Sequence, residues 1–174
     1  IKHVSAQMSS VREVLPGREY FIPDTMQKVD PLTVTSEEFA VHLTGKPMPL
    51  AKAIYTSFTG ISPVTAEEIC SLAGMDSSVP AQEYSADILL HLYTQFEIYL
   101  SAIKEDTFSP GIYFDGKEPK EFSALPLSHF INYTRVEYDS VSEVLETYYS
   151  TRSLITRIRQ KSVDLRHVVQ TALE

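Results

Sequence analysis

The residues best arranged for chemistry run from position 54 to position 69: Ile54-Tyr55-Thr56-Ser57-Phe58-Thr59-Gly60-Ile61-Ser62-Pro63-Val64-Thr65-Ala66-Glu67-Glu68-Ile69. An apolar stretch leads into Gly60-Ile61-Ser62, and Pro63 opens a second stretch with a small residue, Ala66, at its fourth position. Ile61 is of the type that plugs a turn into a core. Gly60 and the small Ser62 leave the backbone open to close approach. The start of a helix carries unpaired N–H groups and the positive end of the helix dipole. Gly60, Ile61, Ser62 and Thr65 are therefore candidates to hold a phosphate. Such contacts position a nucleic acid without reading its sequence. The pattern is that of a helix-hairpin-helix unit, which serves equally as a plain packing module. Three features oppose phosphate binding: Pro63 brings no N–H, Glu67 and Glu68 follow within two turns, and Lys52 is the nearest cation in sequence.

Other chemistry is poorly supplied. His3, His42, His91, His129 and His167 show no metal-ligand spacing. His91 stands between Leu90 and Leu92 and reads as a structural histidine. Cys70 falls on an apolar helix face without a protease signature, so it reads as core. No nucleophile elbow, P-loop or dinucleotide fingerprint occurs. Nothing in the sequence pairs two carboxylates for acid–base work. We expect no enzymatic activity, no cofactor and no metal. Tyr148-Tyr149 could stack on bases, but packing between helices is the simpler reading.

Charge points in two directions. The chain of 174 residues carries a formal net charge of −8, which argues against a strongly basic nucleic-acid clamp. From Tyr149 onward, however, Arg152, Arg157, Arg159, Lys161 and Arg166 face only Asp164 and Glu174, so that stretch is +3 and the remainder −11. A basic helix on an acidic body suits a local docking surface steered by charge, and equally a solvated helix face. No run of 18 apolar residues exists to span a membrane. One cysteine permits no internal disulfide, which suits a reducing, cytoplasmic setting. Ile1 in place of Met, and an unfinished helix at Thr171–Glu174, read as cut ends.

The elements that must position these residues read as an α+β fold. Residues 1–34 are short apolar pieces broken by turns at Pro16-Gly17, Pro23-Asp24 and Asp30-Pro31, with Tyr20-Phe21-Ile22 as a short strand. Residues 35–107 read as the helical lobe. Thr35 and Glu38 fit a capping box, and a second helix runs from about Pro49 to Ser57. Ser62 and Pro63 start a third helix, which Gly74 closes. A longer helix spans Ala81 to Lys104 with Leu89, Leu92, Phe96, Tyr99 and Ile103 as its buried stripe. Residues 108–139 turn to strands: Pro110–Phe114, a turn at Asp115-Gly116, Glu121–Leu125, and a further strand over Arg135–Tyr138. Residues 140–174 open on a capping box at Ser140 and Glu143 and continue as helix. Leu154, Ile158, Leu165 and Val168-Val169 form a seam like the start of a coiled coil. The strands need company, so residues 1–34 and the hairpin are expected to lie together.

Three stretches in this order resemble the NFACT family. Ser10-Val11-Arg12-Glu13-Val14-Leu15-Pro16-Gly17-Arg18-Glu19-Tyr20 is similar to the segment that ends the family's N-terminal lobe. Phe58 to Ile69 is similar to its hairpin, and Arg157 to Leu173 to the stretch leading into its coiled coil. The resemblance implies a ribosome quality control protein. Its parent would bind large ribosomal subunits blocked by peptidyl-tRNA, recruit tRNA, contact rRNA and support C-terminal tailing of the stalled chain. Arg12 and Arg18 in the first of these stretches, and Arg157, Arg159 and Lys161 in the basic C-terminal helix, join Lys52 and the hairpin as candidate RNA contacts. Bacterial members were long labelled fibronectin-binding protein A, so a surface adhesin binding fibronectin or fibrinogen is the competing expectation. A glycosylase-like enzyme, the third, needs an N-terminal nucleophile and usually a zinc finger. This sequence offers neither.

Overall fold

The computed structural model describes residues 16–17 and 28–173, with side chains through Thr171. The Tyr20-Phe21-Ile22 strand, Arg12, Arg18 and any pairing of residues 18–27 with the hairpin lie outside the described residues, whereas residues 28–34 are described and join the helical lobe, with Val29 bridging to Phe58 and Val34 in its core. The fold is α+β, with five helices and one three-stranded sheet among those residues.

Helix α1, Ser36–Leu43, starts as its capping box dictates. Thr35 Oγ1 accepts the Glu38 N–H (3.3 Å), and Glu38 Oε2 accepts the Thr35 N–H (3.0 Å). Helix α2, Leu50–Ser57, has no side-chain cap. The loop before the fourth helix supplies the missing acceptors: Val79 O takes the Leu50 N–H and Ser77 O the Ala51 N–H. Helix α3, Pro63–Leu72, follows the Gly60 turn, and Gly74 just beyond it adopts φ +66°.

The fourth helix is shorter than its pattern predicts. Ala81–Glu83 form one 3₁₀ turn, Tyr84 is extended, and α4 runs Ala86–Lys104 from Ser85. The Tyr84 hydroxyl donates to Asp76 O at 3.0 Å, which ties the break to the preceding loop. The buried stripe also drifts. Leu89, Leu92 and Phe96 are buried as expected, but Leu100 follows them inward and Ile103 is 38% exposed. His91 projects from the opposite, exposed face and is not a core histidine.

These helices close on one core. Phe39 stacks on Phe58 (5.2 Å between centroids), and both rings tilt against Phe96 at 4.8 and 5.2 Å. Leu43, Leu50, Ile54, Ile69, Leu89 and Leu92 pack around them without solvent exposure. Cys70 is buried there, and its thiol is pushed up to about 12 by desolvation and by the nearby charges of Glu67 and Asp76. It packs as a small hydrophobe, not as a nucleophile.

The sheet has the order β2-β1-β3, all antiparallel: β1 Gly111–Asp115, β2 Glu118–Ser123 and β3 Thr134–Glu137. Its hairpin turn sits one residue later than the Asp115-Gly116 reading. Asp115 pairs with Glu118, so the two loop residues are Gly116 and Lys117, and Gly116 takes φ +59°. Glycine in the first loop position is the composition a tight type II′ hairpin favours. Helix α5, Val141–Leu173, begins over this sheet. Val144 and Tyr148 join Ile112 in a second core with Phe114, Phe122 and Tyr138. Tyr148 thus packs on a strand, edge-on to Phe122 at 4.7 Å, and not between helices. The same helix face continues through half-buried Thr151 and Ile155. It then leaves the body, with Ile158, Leu165 and Val169 59%, 66% and 58% exposed.

One buried carboxylate ties the helical lobe to the loop between β2 and β3. Glu68 on α3 is 1% exposed and accepts from the Ser128 N–H (2.8 Å), the His129 N–H (3.3 Å) and His129 Nδ1 (2.5 Å). The neighbouring Leu127 N–H donates to the Tyr113 hydroxyl of β1 at 2.6 Å. The loop between β2 and β3 is therefore pinned from both sides.

Candidate nucleic-acid interface

The turn between α2 and α3 has the geometry its residues call for. Ile61 is 8% exposed and belongs to the helical core. Gly60 adopts φ +76°, and a Cβ there would meet nothing within 4 Å, so its requirement is conformational and not steric. Thr59 N–H donates to Val29 O and Val29 N–H to Ser57 O, so an extended residue from before α1 lies along the turn. Gly60→Val should destabilise the chain by about 1–3 kcal/mol through backbone strain. Thermal melts of the two proteins measure it, and coincident melts would contradict this account of the turn.

The turn offers fewer anion donors than a bare helix start. Ser62 caps α3, and its Oγ already accepts the Thr65 N–H at 3.1 Å. The Thr65 hydroxyl is tied to Ser62 Oγ at 2.9 Å. Pro63, the first helical residue, has no N–H. At most the Ser62 and Val64 amides remain to meet a phosphate from this end.

Cations reach the turn from elsewhere. Lys28 Nζ donates to Tyr55 O at 2.8 Å, and Lys46 Nζ to the Ser57 hydroxyl at 2.6 Å. Both groups sit at the carboxyl end of α2, where positive charge is favoured by the helix dipole. Partial burial holds the Lys46 amine below its ordinary value. Lys28 also lines an open groove of about 510 Å³ with Gly60, Ile61, Leu32 and Ile103. Neither lysine is near the turn in sequence, and only the tertiary fold brings them there. Lys52 is exposed in the first turn of α2, at the end away from Gly60.

The two glutamates behave differently from each other. Glu68 is turned inward onto Ser128 and His129, so its charge is engaged and does not face the turn. Burial pushes its pKa up, but the donors from His129 and Ser128 outweigh that and hold the carboxyl below its ordinary value. Glu67 is half-exposed, 3.9 Å from His129 Nε2.

The basic residues of α5 do not form one cluster. Arg159 reaches back to Glu118 of β2 at 3.0 Å. Arg157 lines a concavity with Tyr149 and Arg152. Lys161 borders an apolar groove with Ile158, Leu165 and Val169. Helical periodicity explains the split, since positions 157 and 161 share a face that position 159 opposes. Among the described residues, no group of three metal-ligating side chains occurs and no helix is long and apolar enough to cross a membrane.

The sequence profile of the NFACT N-terminal and middle domains matches residues 1–174. The chain belongs to the NFACT family. Among curated NFACT relatives, the Rqc2 homolog RqcH of Bacillus subtilis is 33% identical over 170 residues, covering 97% of this chain and 27% of that protein. The Rqc2 homolog RqcH of Streptococcus pneumoniae is 24% identical over 174 residues, covering 100% of this chain and 26% of that protein. The chain thus spans about a quarter of the length of these relatives. A crystal structure described as the fibrinogen binding protein from Staphylococcus aureus shares the fold. Its TM-score is 0.58 at 22% identity, covering 85% of this chain and 49% of that one.

Proposed function

We propose that this chain is a non-catalytic RNA-docking segment of a ribosome quality control factor. The whole factor binds large ribosomal subunits and tRNA in the cytoplasm and supports C-terminal tailing of the stalled chain. The observation that carries the reading is the 33% identity to the Bacillus subtilis Rqc2 homolog over nearly the whole chain. The geometry is consistent with it in two places. The Gly60-Ile61-Ser62 turn joins α2 to α3 with Ile61 buried, which supports a helix-hairpin-helix reading, and Lys28 and Lys46 supply charge at the end of α2. Helix α5 presents a heptad seam leaving the body, suited to continue as a coiled coil. In this reading residues 1–34 and 108–139 belong to the N-terminal lobe and residues 35–107 form the helix-hairpin-helix lobe. Residues 140–174 lead into the coiled coil. Arg12, Arg18, Lys52, Gly60, Ile61, Ser62, Thr65, Arg157, Arg159 and Lys161 remain the candidate contacts.

The Staphylococcus aureus neighbour is titled for fibrinogen binding, which keeps the adhesin reading on the table as the competing outcome. At 22% identity that likeness speaks for the fold alone. Recovering the full-length protein from cells and identifying what accompanies it separates the two. The proposal expects tRNA and large-subunit rRNA in the cytoplasmic fraction. Recovery on the cell surface without RNA would overturn it.

A further inference from the structure

We infer that Tyr149, Arg152, Ser153, Thr156 and Arg157 form a binding site on α5 for an unpaired nucleotide of an RNA strand, the base stacking on Tyr149 and the phosphates on either side of it meeting the two guanidinium groups separately. The inference rests on the RNA-docking reading and assigns it a place that neither the hairpin motif nor the whole basic tail had.

Tyr149, Ser153, Thr156 and Arg157 share one face of the helix at three- and four-residue spacings, and Arg152, three residues after Tyr149, flanks that face. Together they line a shallow, open groove between side chains on the helix surface. Tyr149 is 57% exposed, yet its ring is not loose. It packs T-shaped against Tyr148 at 5.3 Å and against Phe122 at 6.1 Å, which holds the ring in place while more than half of the residue stays exposed. An oriented, exposed ring is what base stacking requires.

Arg152 is held beside it without a carboxylate. Its Nη1 donates to the Tyr148 hydroxyl at 2.8 Å, and its guanidinium lies 5.4 Å from the centre of the Tyr148 ring. Stacking against an aromatic ring fixes the group and leaves its other donors free for phosphate oxygens. Arg157 borders the same concavity, and among the described residues neither arginine forms an ion pair. Arg159, by contrast, spends its charge on Glu118. The Ser153 and Thr156 hydroxyls add neutral donors on the same face.

Charge patterning marks this stretch out from the rest of the chain. No Asp or Glu occurs between Glu146 and Asp164, although the chain has 23 acidic residues. Glu146 lies one turn before Tyr149 and bounds the site on one side. Asp164, which accepts from Gln160 at 2.8 Å, bounds it on the other. Two guanidinium groups without carboxylate partners, flanking an exposed ring on a helical stretch that itself carries no Asp or Glu, fit an anionic ligand with a flat face. In a continuous duplex the bases are stacked on each other and cannot reach the ring, so the partner is single-stranded or looped RNA.

The test titrates the 174-residue chain with a labelled single-stranded RNA of about ten nucleotides, with a blunt RNA duplex, and with inorganic polyphosphate, which has no base. Tyr149→Ala and Tyr149→Leu should each weaken single-strand binding about 5- to 10-fold and leave polyphosphate binding unchanged. Arg157→Gln should weaken both and make the log–log salt slope shallower by about one. Arg159→Gln should change either by much less. Far-UV circular dichroism checks that each variant keeps its helix content. If the wild-type chain binds the single strand and the Tyr149 and Arg157 variants bind it equally well, the site is overturned while RNA docking stands. Equal affinity for duplex and single strand overturns the stacking assignment. If the wild-type chain binds none of the three, the docking reading falls and this site with it.

Discussion

Glu68→Ala is expected to destabilise the chain by about 3–5 kcal/mol, the scale of breaking a buried charged network by removing one partner. The carboxylate is almost fully buried and receives two backbone N–H groups and one imidazole nitrogen. Alanine would leave all three donors without the acceptor that the fold provides. His129 Nε2 makes no hydrogen bond, and Glu67 at 3.9 Å is its nearest carboxylate, so the ring relies on Glu68 for its hydrogen bond. The loop from Leu127 to Phe130 should loosen first, followed by the contact between the helical core and the sheet. Urea unfolding measures the loss, and a change below about 1 kcal/mol would contradict the linking role. Acid should reproduce part of the effect. The folded-state pKa of Glu68 lies below its ordinary value of 4.5, so its contribution is fully present above that value and is lost as pH falls through the depressed folded pKa. Melting temperatures followed downward from about pH 6 should show an acid-side decline that Glu68→Gln flattens.

Phe58→Ala is expected to cost about 3–5 kcal/mol, the range for deleting a buried aromatic ring. Phe58 has no solvent exposure and stacks on Phe39 while touching Phe96. It is also the residue that enters the Gly60 turn, bridged through the backbone to Val29. The substitution should therefore lower stability and free the turn together. Amide exchange at Thr59 and Val29 would rise with the fall in unfolding midpoint. A protein that loses stability yet keeps these two amides protected would show that the turn is held by the backbone bridge alone.

Much of the fold is legible in the sequence because it is local. Thr35 with Glu38, Ser62 with Pro63, and Gly60 before Ile61 each fix a helix boundary through residues within four positions. All three appear as read. What fails to show depends on partners far along the chain. Glu68 looks like one more acidic side chain until His129, 61 residues away, folds over it. Lys28 and Lys46 join the turn only through the tertiary packing of α2. The pairing of Arg159 with Glu118 spans 41 residues and removes one cation from a tail that reads as uniformly basic. The one-residue shift of the hairpin turn has a simpler cause. Asp-Gly favours a turn with both residues in the loop, whereas strand register here keeps Asp115 paired and moves Gly116 to the first loop position. Likewise the break at Tyr84 reflects its hydroxyl bond to Asp76 O, which no helical periodicity reveals.

The most direct test of RNA docking is a titration of labelled tRNA with the 174-residue chain at about 50 mM and about 200 mM salt. Two to four phosphate contacts predict weak binding that falls with salt at a log–log slope of about −2 to −4 for duplex-like regions, shallower for single strands. Absence of binding even at the lower salt would contradict the account and leave the chain a spacer that sets the distance between the N-terminal lobe and the coiled coil.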